Sequence, residues 1–170
     1  TNGLVDATFN PGGVGADGPI NKIRYNTVTN KRLLVGDFKK YNGQEANGVA
    51  MINPDGSLDP SFRFGKTTGG IPTFAAQLNN GKIIVAGSFA NYNYNYLTTP
   101  DKYVVRPGFM VLESTGALAL GYNNTGLFRG TINDLVQIVI NGTPGVILVG
   151  DFDRFDGKTV GDIVKLKLEN

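Results

Sequence analysis

The run Tyr92-Asn93-Tyr94-Asn95-Tyr96, followed by Tyr103 and Arg106, has the residue types of a ligand-binding surface. Strand periodicity places the three tyrosines on one face and the asparagines on the other. Exposed tyrosines beside amides suit a sugar, since each ring offers flat apolar area and a hydroxyl tip. Thr98-Thr99-Pro100-Asp101 can turn the segment back as a protruding hairpin. Tyr94, Asn95, Tyr96, Tyr103 and Arg106 are therefore the candidate ligand-binding residues. A structural use competes: Tyr92 aligns with Tyr41 and Phe155 as a packing residue, and Tyr94 and Tyr96 could cover a sheet edge or meet a neighbouring subunit.

Asp151-Phe152-Asp153-Arg154-Phe155-Asp156-Gly157 has the alternating carboxylates of a calcium loop. Calcium wants several oxygens in a compact turn. The matching stretch Asp37-Phe38-Lys39-Lys40-Tyr41-Asn42-Gly43 puts lysines where ligands would stand, and no bidentate glutamate follows. A structural reading is favoured, with Asp37 and Asp151 accepting backbone N–H bonds in a turn and Ser88 as a weaker stand-in. Asn53-Pro54-Asp55-Gly56-Ser57-Leu58-Asp59 takes the same reading.

The glutamates are Glu45, Glu113 and Glu169, and none sits in a pattern that suggests a paired acid and base. With no cysteine and no histidine, Cys-His zinc sites, thiol nucleophiles and Ser-His-Asp triads are excluded within the chain. The expectation is no catalytic residue, no metal and no cofactor. A net charge of +2 is too small for the footprint of a nucleic-acid binder. No run approaches the roughly 20 apolar residues of a membrane span.

The elements that must position these residues repeat. Leu33-Leu34-Val35-Gly36-Asp37-Phe38, Ile83-Ile84-Val85-Ala86-Gly87-Ser88-Phe89 and Ile147-Leu148-Val149-Gly150-Asp151-Phe152 share an apolar run ending in Gly-(Asp/Ser)-Phe. Each unit divides into four short segments, a to d. Segment a covers residues 20–25, 72–78 and 132–140, and segment b carries the shared phrase. Segment c covers 48–53, 108–113 and 162–168, and segment d begins at Leu4, Leu58 and Leu118 and ends in Phe9, Phe62 and Tyr122. Asn79-Asn80-Gly81, Pro54-Asp55-Gly56 and Asn141-Gly142 supply tight turns between apolar runs. Adjacent segments should pair antiparallel, because no connection carries the helical crossover that parallel pairing needs.

The fold class expected is all-β: a β-propeller-type array of three four-stranded antiparallel blades, within one repeat domain. The units run over residues 4–57, 58–117 and 118–170. The second is swollen at residues 92–107, where the first spends only residues 41–47 and the third 155–160. Insertions in repeat arrays map to loops on one face, and such loops carry function.

Leu58-Asp59-Pro60-Ser61-Phe62, then Ala75-Ala76-Gln77 leading to Asn80-Gly81-Lys82-Ile83-Ile84-Val85-Ala86-Gly87-Ser88-Phe89, resembles the delta-60 repeat of bacterial β-propellers. The first unit departs at Asn30-Lys31-Arg32 and the third at residues 119–121. The resemblance implies an extracellular or cell-envelope protein and no common enzyme activity. The reading that results is a non-catalytic module for carbohydrate or protein recognition and adhesion. A carbohydrate-active enzyme using Asp or Glu at a propeller pore, and a structural spacer without ligand, are the alternatives.

The segment order is d-abc-d-abc-d-abc, a permuted register. Three blades are too few for a ring of four to eight, so the array is expected to be half of a six-bladed ring or a piece of a larger propeller. In the first case a homodimer forms, with residues 4–9 of each chain completing the sheet that ends at residues 162–168 of the other. In the second, adjoining domains of a longer chain take that place.

Overall fold

Residues 3–122 and 127–168 of the chain are described by a computed structural model. Glu169 and Asn170 lie outside the described residues. All regular secondary structure among the described residues is β-strand. The first unit is β1 (Ile20–Asn26), β2 (Lys31–Gly36), β3 (Lys40–Tyr41), β4 (Gln44–Glu45) and β5 (Val49–Ile52). The second is β6 (Lys66–Thr68), β7 (Pro72–Gln77), β8 (Ile83–Gly87), β9 (Asn91–Asn93), β10 (Val104–Val105) and β11 (Phe109–Leu112). The third is β12 (Arg129–Ile140), β13 (Thr143–Phe155), β14 (Lys158–Thr159) and β15 (Ile163–Lys167).

Segments a, b and c form one antiparallel sheet per unit: β1-β2-β5, β7-β8-β11 and β12-β13-β15. The register is the same in all three. Gly36, Gly87 and Gly150 each donate their N–H, at 3.0 Å, to the residue that opens segment c, namely Gly48, Gly108 and Asp162. Segment d is shorter than a full strand. Leu58 bridges Ile52 and Leu118 bridges Leu112, each as a single pair. After Leu58 the ladder stops because Pro60 has no N–H to donate and Asp59 turns the chain, its Oδ1 accepting from Ser61 N at 2.9 Å. Residues 4–9 form no strand, and Leu4 and Val5 are 83% and 95% exposed.

The glycine of the shared phrase answers to close packing. Segment a carries a β-bulge in every unit, between Ile20 and Lys22, Pro72 and Phe74, and Ile132 and Asp134. Each bulge presses a carbonyl oxygen onto the glycine opposite. A Cβ on Gly36, Gly87 or Gly150 would lie 2.1, 2.2 or 2.0 Å from the oxygen of Pro19, Ile71 or Thr131. The expectation that glycine serves turns holds elsewhere: Asn141 and Gly142 both take positive φ, 50° and 81°, in the tight β12–β13 hairpin.

The core lies between sheets rather than within one. Leu33, Val35, Val49 and Met51 of the first unit pack with Ile83, Val85, Met110 and Leu112 of the second, joined by Phe62, Phe64, Phe89 and Tyr92. The opposite face of the second sheet, with Phe74, Ile84 and Phe109, packs on Ile132, Val146, Leu148 and Phe152 of the third. The phenylalanines of the phrase, Phe38, Phe89 and Phe152, are all buried. Truncating one such ring costs about 3–5 kcal/mol.

Candidate functional site

The insertion of the second unit is built on β9. This strand pairs on one side with β6 and on the other with β10, which brings the chain back as the sequence led one to expect. The turn between them begins after Asn93 and is fixed from within. Asn93 is buried, and its Nδ2 donates to the carbonyls of Thr99 and Pro100 at 2.6 and 3.3 Å. The Asn95 carbonyl accepts from the N–H groups of Thr98 and Thr99 at 2.9 and 2.8 Å. Strict alternation fails here: Asn93 faces inward with Tyr92, because the strand ends and the loop closes over its amide.

Tyr92 is a packing residue. It is 0% exposed, its hydroxyl donates to Gly116 O at 2.7 Å and accepts from Gly65 N at 2.8 Å, and its ring lies 5.2 Å from that of Phe64. Tyr41 does the same in the first unit, donating to Gly56 O at 2.8 Å. Burial pushes the Tyr92 hydroxyl far above the usual tyrosine range.

Tyr94 and Tyr96 come together around a residue that the sequence did not single out. The Arg63 guanidinium sits 4.6 Å from the centre of the Tyr94 ring and 5.6 Å from that of Tyr96. Its buried Nη1 has no hydrogen-bond partner among the described residues, so the ring faces are what offset its desolvation. The Tyr96 hydroxyl donates to Glu45 Oε2 at 2.6 Å, tying the insertion to β4 of the first unit. Burial and this carboxylate push the Tyr96 hydroxyl up. Asn95 is exposed at the tip. Tyr103 and Arg106 stand in other contacts. Tyr103 N donates to Asp101 O at 3.2 Å, while Arg106 donates to Val105 O through Nη1 at 2.6 Å, and burial lowers its pKa. The outward side of the insertion carries Leu97, Val104 and Val105, which are 64%, 42% and 66% exposed.

The stretch 151–155 is extended within β13, so its carboxylates are strung along a strand and do not converge; Asp153 is held by Arg129, whose Nε donates at 2.7 Å. The turn role expected of Asp37 and Asp151 falls to other residues. Asp17 Oδ1 accepts from the N–H groups of Lys39 and Lys40 at 2.8 Å each, and Asp162 Oδ1 accepts from Phe152 N at 3.1 Å. Asp17 and Asp162 reach these amides from bends that precede β1 and β15, a relationship that local spacing does not encode. Ser88 also accepts a backbone N–H bond, but from Ile71 N at 3.2 Å, ahead of segment a, and not from its own turn. Glu113 is engaged by Lys82, at 2.9 Å to both oxygens.

A second polar cluster lies on the segment a strands, which stand side by side. Lys22 and Arg24 of β1 reach over Phe74 of β7, 5.5 and 5.1 Å from its ring centre. They end at the β12 bulge. Lys22 Nζ donates to Ile132 O at 3.2 Å, and Arg24 Nη1 pairs with Asp134 at 2.6 Å. Desolvation and the Arg24 charge lower the Lys22 pKa. The alternation Lys22-Ile23-Arg24 was the available signal.

Comparison with known proteins returns a repeat of the same kind. Residues 29–62 and 78–106 match the family model described as Domain of unknown function (DUF5122) beta-propeller. The chain is a β-propeller-type array. Both matches open at the turn between segments a and b, so the comparison and the structure agree on the phase of the repeat. No curated protein and no solved structure matches the chain.

Proposed function

We propose that this array is a non-catalytic recognition module of the delta-60 type, with the insertion at residues 92–107 as its binding element. The observation that carries the reading is the preorganised state of that loop. Hydrogen bonds from Asn93 and to Asn95, the Arg63 contact with two rings, and the Tyr96–Glu45 bond fix it before any ligand arrives. A loop already ordered loses little conformational entropy on binding. Glu45 and Glu113 are both committed to neighbours, which supports a role without catalysis. The resemblance in repeat sequence favours the cell envelope or the exterior as its setting.

Exposed Leu97, Val104 and Val105 favour a protein partner over a glycan. Arg63 already lies against the rings that a sugar would use. Selection from a peptide-display library and binding to a glycan array, each with wild type and a Leu97→Ser, Val105→Ser double variant, test this. Peptide enrichment that disappears in the variant is expected. Glycan signal that the variant retains would move both the ligand class and the site.

A further inference from the structure

The two junctions of the array differ along segment a. On the face that this segment turns to the following unit, Lys22, Arg24 and Asn26 of the first unit correspond in register to Phe74, Ala76 and Leu78 of the second. At the second junction these positions are apolar, no more than 5% exposed, and pack with Ile132, Val146 and Leu148. At the first junction the same positions are polar, although Asn26 is buried and Lys22 and Arg24 are half-buried. Polar side chains drawn out of water cost stability unless something satisfies them.

The polar junction encloses a cavity of about 140 Å³, the space of about four or five waters. Arg24, Asn26, Lys31 and Gln77 line it together with Ala76 and Leu135, and Tyr25, 54% exposed, links it to solvent. Its walls are braced from within. Asn26 Nδ2 donates to Gln77 O at 3.0 Å and Thr29 Oγ1 donates to Gln77 Oε1 at 2.7 Å, which leaves the Gln77 Nε2 donor without a partner among the described residues. The cations of this face outnumber their acids. Arg24 pairs with Asp134 at 2.6 Å and Lys31 with Asp59 at 3.1 Å, whereas the acceptors of Lys22 Nζ are the neutral carbonyls of Ile132 and Asn133, at 3.2 and 3.4 Å. Burial, and then the Arg24 charge, hold the Lys22 pKa down, as befits a cation short of counter-charge.

We propose that this cavity binds a small carboxylate, whose charge balances the excess cation of Lys22 and Arg24 and whose hydrocarbon part rests on Ala76 and Leu135. The guanidinium fork and the free Gln77 amide supply donors for its two oxygens. The apolar part of the lining selects against inorganic phosphate, which has only oxygens to set against Ala76 and Leu135. The site shares no residue with the insertion at 92–107, so it is tested apart from the recognition role proposed above.

Titration calorimetry with acetate, propionate and succinate, each against sodium chloride at equal ionic strength, reads the binding. Saturable one-to-one binding of at least one of these acids is expected, with inorganic phosphate and glycerol silent. Lys22→Met, which keeps the stem beside Phe74, and Gln77→Met should each weaken it by about tenfold or more. Lys66→Met removes the same charge from an exposed position on β6 and should change nothing. The melting midpoint gives a second reading on protein that has folded: the acid that binds should raise it in wild type and leave both cavity variants unmoved. No saturable binding of any of the three acids to wild type, phosphate bound as tightly as a carboxylate, or affinity that survives both cavity substitutions would each overturn the proposal.

Discussion

Tyr96 donates its hydroxyl hydrogen to Glu45 at 2.6 Å, so the insertion of the second unit is tied to the short β3–β4 hairpin of the first. Together with the Arg63 contact on Tyr94 and Tyr96, this makes the loop a strap across a junction between sheets.

Removing either hold should loosen the strap without unfolding the array. Tyr96→Phe loses one hydrogen bond, worth about 0.5–1.5 kcal/mol. Arg63→Leu loses the ring contacts, worth about 0.5–2 kcal/mol. Hydrogen exchange at the amides of Thr98 and Thr99 should quicken in both variants, with little change at β8. Unchanged exchange in both would mean that Asn93 and Asn95 hold the loop unaided.

Alkaline pH should destabilise the fold. The hydroxyls of Tyr92, Tyr41 and Tyr96 are all raised above the reference value of 10.0, with burial as the largest cause. Above that pH the unfolded chain has released protons that the native chain still binds, so stability falls as pH rises and is unaffected well below it. Tyr92→Phe removes the most buried of the three. It should cost about 1–3 kcal/mol at pH 8, because Gly65 N and Gly116 O lose their partner. Guanidinium midpoints from pH 8 upward should decline less steeply in the variant, and an equal decline would locate the titration elsewhere.

Acid should act through Asp59. Burial raises its pKa, but hydrogen bonds from Ser61 and the Lys31 ion pair at 3.1 Å outweigh this and hold it below 3.8. Its contribution is present above that value and is lost as pH falls through the lowered one. Asp59→Asn should be about 1–3 kcal/mol less stable at pH 7, with the gap to wild type closing in acid. Urea titrations at pH 7 and pH 3 measure both ends. A gap that does not narrow would show that shape, not charge, is what Asp59 supplies.

Gly87→Ala should cost about 1–3 kcal/mol, since the new methyl meets the Ile71 carbonyl oxygen at 2.2 Å in a bulged strand with little room to move. Gly161→Ala, where nothing lies within 4 Å, is the control and should be neutral. Thermal melts of the two variants compare them, and equal midpoints would remove the packing explanation of the repeated glycine.

Much of the array was legible because its signals are local. The apolar runs at Leu33, Ile83 and Ile147 are short strands bounded by turn residues, and Asn141-Gly142 names its own hairpin. What was not legible depends on partners distant in sequence. The bulge that crowds Gly36 is written at Pro19 and Ile20, in residues with no distinguishing type. Arg63 reads as one more cation after Phe62, and Glu45 as one more loop acid, until the fold carries them to Tyr94 and Tyr96. The same distance effect gave the turn role to Asp17 and Asp162 in place of Asp37 and Asp151. Segment d was legible as a motif but not in length, because Pro60 and Asp59 cut its ladder to one pair.

The connection from Leu58 to Arg63 belongs to two units at once: Leu58 bridges Ile52 of the first, Phe62 enters the core it shares with the second, and Arg63 N binds Thr115 O of the second. Opening either unit therefore strips the linker from the other. Unlike solenoids whose repeats meet only across nearest-neighbour faces, this array has the junction of its first two units stitched as well as stacked. Its melting should accordingly be steep, with neighbouring units lost as one cooperative block rather than peeled away in turn.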